Sequence, residues 1–314
     1  MAREAVKLME LAPGEVPQEL KAQSYFDFDK HPFEHRALLD GTSSVCHAIR
    51  KISDYAVRWL EAKAAELRDS ADFQILTAGD IDAPSWGAFE ALVCGGAVFA
   101  PRSVVGAKGS RTGRVMVAAG ASVIGCDLYV DSGYIYVGAG SAIEAGVGIK
   151  GPTIIGSKCE IRQGAYLRGD CILGNECVIR GELKNAVVMD KGNFPHPSYL
   201  GDSLAGYMTH FGNQVTAANL GIYNGVREKD KRINLTLEIG GKSYDIGTPK
   251  MGVVMGDFCQ VGCSSTTDPG TFLRPFTIAY TLTRITKGFY GPNEVLKNKP
   301  MEHGVIERAA LQPL

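Results

Sequence analysis

The sequence predicts a mainly β protein, a parallel β-helix of hexapeptide repeats with an N-terminal α-helical region. Two columns of residues carry this expectation. Val137, Ile143, Ile149, Ile155, Ile161, Leu167, Leu173 and Ile179 stand six apart without a miss. With aliphatics at roughly a quarter of positions, eight in a row is an accident on the order of 10⁻⁵ per starting point. Four residues after each of the first seven come Ser141, Val147, Thr153, Cys159, Ala165, Cys171 and Cys177, all small. A helix repeats every 3.6 residues and a strand every two, so a period of six fits neither alone. It fits short strands wound into a coil, each face sending one large and one small side chain inward.

The spacing extends both ways. Ala118, Ile124 and Val130 precede it, with a one-residue slip before Val137. Ala205 and Phe211 resume it, as do Met255, Val261, Thr267, Leu273 and Ala279, with Cys259, Ser265, Thr271 and Thr277 in the small column. The coil is therefore assigned to residues 116–290. An N-terminal helical cap region, 1–115, comes before it and a surface tail, 291–314, after it. The period fails at 184–200 and 219–250. Irregular insertions in a coil become loops on one side, often the binding side, so both are expected as inserted loops near the chemistry.

Before the coil, Pro13, Pro17 and Pro32 break any regular pattern. From Ser43 to Leu67, Val45, Ile49, Ile52, Ala56, Leu60, Ala64 and Leu67 follow in steps of three or four, one helical stripe. Thr42 or Ser43 is the expected N-cap. The stripe needs a partner, and the open end of the coil needs a cover. Residues 73–77 read as a short strand.

Composition excludes several function classes. A formal net charge of -1 over 314 residues gives no footprint for nucleic acid or an acidic membrane surface. No apolar run approaches a membrane span and the polar N-terminus does not read as a signal peptide, so a cytoplasmic location is expected. Of eight cysteines, Cys159, Cys171, Cys177 and Cys259 fall in the inward column and no CxxC pair exists. They are expected as reduced core thiols, with Cys159 stacked on Cys177 one coil away.

The residue after each core aliphatic faces outward. Four of these are Lys150, Arg162, Arg168 and Arg180, with Lys150 and Arg168 sharing one face and Arg162 and Arg180 another. Solvated surface charge suits Lys150, Arg162 and Arg180. Arg168 stands apart because the 184–200 segment follows one coil later and can fold over it, which would suit bidentate binding of phosphate or carboxylate. In that segment Pro195 and Pro197 fix the backbone around His196, close to Lys184 and Tyr199. A histidine so held is a candidate general base near neutral pH, and a plain surface-loop histidine is the alternative. In 209–221, Asn213 and Asn219 could orient a substrate or simply form turns, and His210 is a further possible substrate contact. His31 and His35 have a metal-like spacing of four, but Pro32 disfavours the helix that would align them.

The segments Glu182-Leu-Lys-Asn, His196-Pro-Ser-Tyr-Leu-Gly-Asp-Ser, Gly212 to Asn219 and Lys250-Met-Gly-Val-Val-Met-Gly-Asp carry a family resemblance. They resemble the left-handed β-helix half of the bifunctional glucosamine-1-phosphate acetyltransferase / N-acetylglucosamine-1-phosphate uridyltransferases, especially the archaeal-type sugar-1-phosphate nucleotidyltransferases. The resemblance covers about 117–290 and implies a left-handed coil, where general crossover rules favour the right hand. It implies an N-acyltransferase that uses acetyl-CoA on an amino-sugar phosphate such as glucosamine-1-phosphate. His196 would be the base, Arg168, Lys184 and Tyr199 would hold the phosphate, and Asn219 would position the amino sugar. It also implies a homotrimer with the site between subunits.

The chain departs from the family at His210, at Gly212-Asn213-Gln214 and at Leu220. These departures support a second reading, a non-catalytic sugar-phosphate or nucleotide-sugar binding protein. The N-terminal half shows neither an LxAGxGxR-like signature nor βα alternation, so the uridyltransferase domain is expected to be absent. Leu167-Arg-Gly-Asp170 is similar to a motif of γ-class carbonic anhydrases, which bind zinc through three histidines. Only His196 and His210 lie in the relevant region, with His303 in the tail, so no metal is expected.

Overall fold

A computed structural model describes residues 5–298 and the backbone of 306–310. The chain forms a left-handed parallel β-helix and divides into two compact units, Ile52–Pro197 and the pair of segments Met1–Lys51 and Ser198–Leu314.

In the unit Ile52–Pro197 each coil lays one short strand on each of three faces. Ile135–Val137 pairs in parallel with Thr153–Ile155, and that strand with Cys171–Leu173, so each partner lies eighteen residues on. This register stacks Val137, Ile155 and Leu173 on one face, Ile143, Ile161 and Ile179 on the next, and Ile149 and Leu167 on the third. All eight are 0–1% exposed, and the small column from Ser141 to Cys177 is equally buried. Each large aliphatic so buried contributes about 1.5–3 kcal/mol. Glycines stack in the same way. A Cβ on Gly138 would strike Gly156, and one on Gly156 would strike the Gly174 carbonyl, so this corner accepts no side chain.

Parallel pairing begins at Ser85–Trp86 and Phe89–Cys94, well before residue 116. The Gly- and Ala-rich stretch ahead of 116 coils without a visible period. Phe73–Leu76 is a strand, but it runs antiparallel to Phe89–Cys94 as an edge.

The segment 184–200 is not a loop. Glu182–Val188 pairs with Tyr166–Leu167 and then with Cys171–Leu173, and Asn193–Phe194 pairs with Val178–Ile179. Tyr166 faces Glu182, sixteen residues on, and Cys171 faces Ala186, fifteen on. Two residues are thus missing from the corner before Glu182 and one from the corner at Asn185, which turns in the left-handed region at φ 48°. The coil continues unbroken while the period of six is lost.

In the unit Met1–Lys51 with Ser198–Leu314, Tyr199–Ala205 lies along two faces and His210–Phe211 on the third. Ala217 pairs with Thr267, fifty residues on, so the chain makes a real excursion here. The excursion carries a short helix, Ile222–Gly225, and a hairpin of Thr236–Ile239 with Lys242–Asp245, to which Val6–Lys7 adds a parallel strand. Residues after 290 are not a surface tail. Glu294–Asn298 pairs with Ile278–Ala279, burying Leu296 over Ala279, and Ile306–Ala310 adds antiparallel to it. Residues 299–305 and 311–314 of the expected tail, with His303, lie outside the described residues.

The long helix, Val45–Arg68, buries Val45, Ile49, Ile52, Ala56, Leu60 and Ala64. Its cap is neither Thr42 nor Ser43. The Ser44 hydroxyl accepts the His47 N–H at 3.1 Å, while the Thr42 hydroxyl donates back to the Leu38 and Leu39 carbonyls and closes the preceding turn. Among the described residues no helix is long and apolar enough to cross a membrane. Ser44→Ala should lower the unfolding free energy by about 1 kcal/mol in a urea titration. A change near zero would remove Ser44 as the cap.

Candidate functional site

The register that buries Ile149, Leu167 and Leu183 in one stack sets the residue after each of them on the outside. Those residues are Lys150, Arg168 and Lys184, one cation per coil, with Tyr129 one coil below Lys150. The residues before the aliphatics make a second ladder, in which Tyr166 stands beside Glu182. Glu182 accepts a hydrogen bond from Arg168 Nη1 at 2.5 Å, and both side chains are about 40% exposed. The Lys150 ammonium lies 5.5 Å from the Tyr129 ring centre and 5.9 Å from that of Tyr166. Lys150 therefore does not behave as a plain solvated charge. Arg162 and Arg180 do: Arg162 pairs with exposed Glu160, and Arg180 donates to the Gln163 carbonyl.

Ser53 and Val57, one turn apart on the long helix, roof a cavity of about 370 Å³ over this ladder. Tyr129, Asp131, Lys150, Arg168 and Asp170 line it as well. Trp59, on the same helix, packs edge-on against Tyr136 at 5.2 Å and fixes the roof to the coil. The helix, rather than the 184–200 segment, covers Arg168.

His196 stands elsewhere in this unit. It is exposed in the bend after Asn193–Phe194, the strand of another face, and so is not beside Arg168 and Lys184. In the other unit, Tyr199 begins its strand and pairs with Thr216. The Asn219 side-chain amide donates to the carboxylate of Asp202, which is 5% exposed and turns at φ 48°. A Cβ on Gly201 would strike both the Tyr199 hydroxyl and the Asn219 amide, so these two side chains converge over a glycine that must stay bare. His210 is on a different face from Tyr199, and Asn213 is exposed at the following corner. The structure thus groups Tyr199 with Asn219 and Arg168 with Lys184, and sets His210 and Asn213 apart from Tyr199 and Asn219.

Glu182, Tyr129 and Asp202 were missed from sequence. Glu182 sits sixteen rather than eighteen residues after Tyr166, so the repeat hides it. Asp202 lies inside the same YLGDS motif as Tyr199 but had no visible partner.

The inward cysteines pack as core. Burial pushes the Cys126, Cys171 and Cys259 thiols up to about 12. His31 and His35 do not act as a pair: His31 stacks face to face on Tyr207 at 4.1 Å, while His35 is buried at 2% exposure. Among the described residues no cluster of three His, Cys, Asp or Glu side chains could hold a metal.

No family model matches the chain. It is 31% identical over 99 residues to a bifunctional sugar-1-phosphate nucleotidylyltransferase/acetyltransferase of Sulfurisphaera tokodaii, covering 32% of this chain and 23% of that protein. It is 33% identical over 89 residues to the bifunctional protein GlmU of Methanocaldococcus jannaschii, covering 28% of this chain and 20% of that protein. The chain resembles the acetyltransferase half of these bifunctional enzymes. The matched stretch is only a fifth to a quarter of each relative's length. The coil described above fits that half.

Burial lowers the His35 pKa from 6.5 to about 4. The unfolded chain therefore binds a proton that the folded chain refuses between those values, so His35 costs stability as pH falls through 6.5 toward 4. Urea titrations across this window should show the native protein losing up to about 1.4 kcal/mol per pH unit more than His35→Gln. Parallel pH dependences would contradict it.

Proposed function

We propose that the protein is an acetyl-CoA-dependent N-acetyltransferase that acts on an amino-sugar phosphate such as glucosamine-1-phosphate. The observation that carries this reading is the ladder of Lys150, Arg168 and Lys184, three cations stacked on the coil that resembles the acetyltransferase half of the named relatives. Arg168 and Lys184, neighbours in the column, hold the phosphate. Arginine contributes a planar fork that matches two phosphate oxygens, and lysine a mobile point charge. Glu182 keeps Arg168 oriented until the substrate anion takes its place.

The reaction requires a free amine. His196 takes a proton from the sugar ammonium or from the attacking amine as nitrogen adds to the thioester carbonyl of acetyl-CoA. The tetrahedral intermediate collapses with loss of the CoA thiolate, which leaves the amide. Asn219, braced by buried Asp202, positions the amino sugar. Because His196 follows a strand on one face of the coil and Arg168 a strand on another, we propose a homotrimer in which a neighbouring copy completes the site.

A sugar-phosphate binding protein without acyl transfer is the second reading. The corner at Gly212-Asn213-Gln214, where Asn213 and Gln214 are exposed, favours it. The two are separated by a thiol-release assay with acetyl-CoA and glucosamine-1-phosphate. Acyl transfer predicts turnover in the native protein and a loss of roughly 100-fold or more in His196→Ala. Binding of the sugar phosphate with no thiol released, from this or other amino-sugar phosphates, would sink the enzyme reading.

A further inference from the structure

We propose that Lys150 is a second phosphate ligand beside Arg168, and that the helix-roofed cavity they share selects a hydroxylated phosphate monoester. This inference deepens the function proposed above and rests on its phosphate column, but not on acyl transfer.

Three observations carry it. The first is register. Ile149 and Leu167 are paired, so Lys150 and Arg168 leave the coil at the same position on neighbouring rungs. Rungs lie about 4.7–4.9 Å apart, which lets the two cations reach different oxygens of one phosphate. The second is how Lys150 is held. It is half-buried between Tyr129 and Tyr166 and has no carboxylate partner among the described residues. Aromatic faces hold an ammonium in place without neutralising its charge, whereas a carboxylate would compete with an incoming anion. A lysine so ordered forfeits less side-chain entropy on binding than a free surface lysine does.

The third is the rest of the lining. The cavity of about 370 Å³ also presents the carboxylates of Asp131 and Asp170 and the hydroxyl of Ser53 from the helical roof. Lysine and arginine alone would accept any small anion. Two carboxylates in the same space repel a bare polyanion and reward a ligand that brings donors, such as sugar hydroxyls or an ammonium. The roof excludes water from one side, which strengthens both kinds of contact. The lining therefore fits a ligand with a phosphate at one end and several O–H or N–H groups at the other. It does not fit an apolar molecule or a long nucleic acid backbone.

The test is calorimetric titration of the 314-residue chain with glucosamine-1-phosphate and, separately, with inorganic phosphate, which needs no acyl donor. Lys150→Met should weaken glucosamine-1-phosphate by roughly 10- to 100-fold, and Lys150→Arg should recover most of that loss. Asp170→Asn tests the second half; asparagine tolerates the φ of 55° at this position. It should weaken glucosamine-1-phosphate while leaving inorganic phosphate unchanged or tighter. Melting curves matched to the native protein establish that each variant is folded. Unchanged affinity in a folded Lys150→Met variant overturns the assignment of Lys150, and equal loss of both ligands in Asp170→Asn overturns the selectivity. A native protein that binds neither ligand overturns the inference outright. Binding that follows this pattern with no thiol release would leave the cavity standing and remove the acyltransferase reading.

Discussion

The structure depends on the hydrogen-bonded register between successive coils. Strands of two or three residues cannot hold together alone, and each is fixed by the strand a coil below and the strand a coil above. Once Ile149 lies on Leu167 and Leu167 on Leu183, every neighbour of these residues is stacked as well. Core and surface then follow from one alignment. The aliphatic fills the interior, the small residue fits beside it, and the residue after the aliphatic repeats on the outside as a column. A cation at that position in three consecutive coils becomes a line of charge without any long-range design.

The same constraint decides where chemistry can sit. Inward positions are filled, so cysteines there are core residues, and burial holds the Cys171 and Cys259 thiols protonated. What remains are the outward columns and the corners. Corners tolerate change unequally. The column of Gly138, Gly156 and Gly174 has no room for a side chain, whereas the corner after Ala217 admits a long excursion without disturbing the pairing of Ala217 with Thr267. His196 stands at a corner, Lys150 and Arg168 in an outward column.

Much of this was legible in the sequence. The eight aliphatics at intervals of six specify the coil because a large side chain is needed once per face and nowhere else. The helix stripe from Val45 to Leu67 was equally plain. The 184–200 segment was misread because three residues are missing from two corners, and a period count cannot tell a shortened corner from an inserted loop. Leu296 was missed as a coil residue because it pairs with Ala279 seventeen residues back, one short of the regular coil. The status of Lys150 was out of reach for a different reason. Its surroundings are made by Tyr129, twenty-one residues earlier, and by a helix some ninety residues earlier, and no local pattern links them. The Asn219–Asp202 contact is likewise tertiary, since residues seventeen apart meet only after a turn of the coil.

Coil register stacks Lys150, Arg168 and Lys184, and we propose that this column takes a phosphate. A crystal structure of the protein soaked with glucosamine-1-phosphate tests it most directly. Phosphate density is expected between the Lys150 ammonium and the Arg168 guanidinium, with Glu182 turned away from Arg168. A sugar phosphate bound elsewhere on the coil, with the Arg168–Glu182 pair intact and the cavity beneath Ser53 empty, would contradict it.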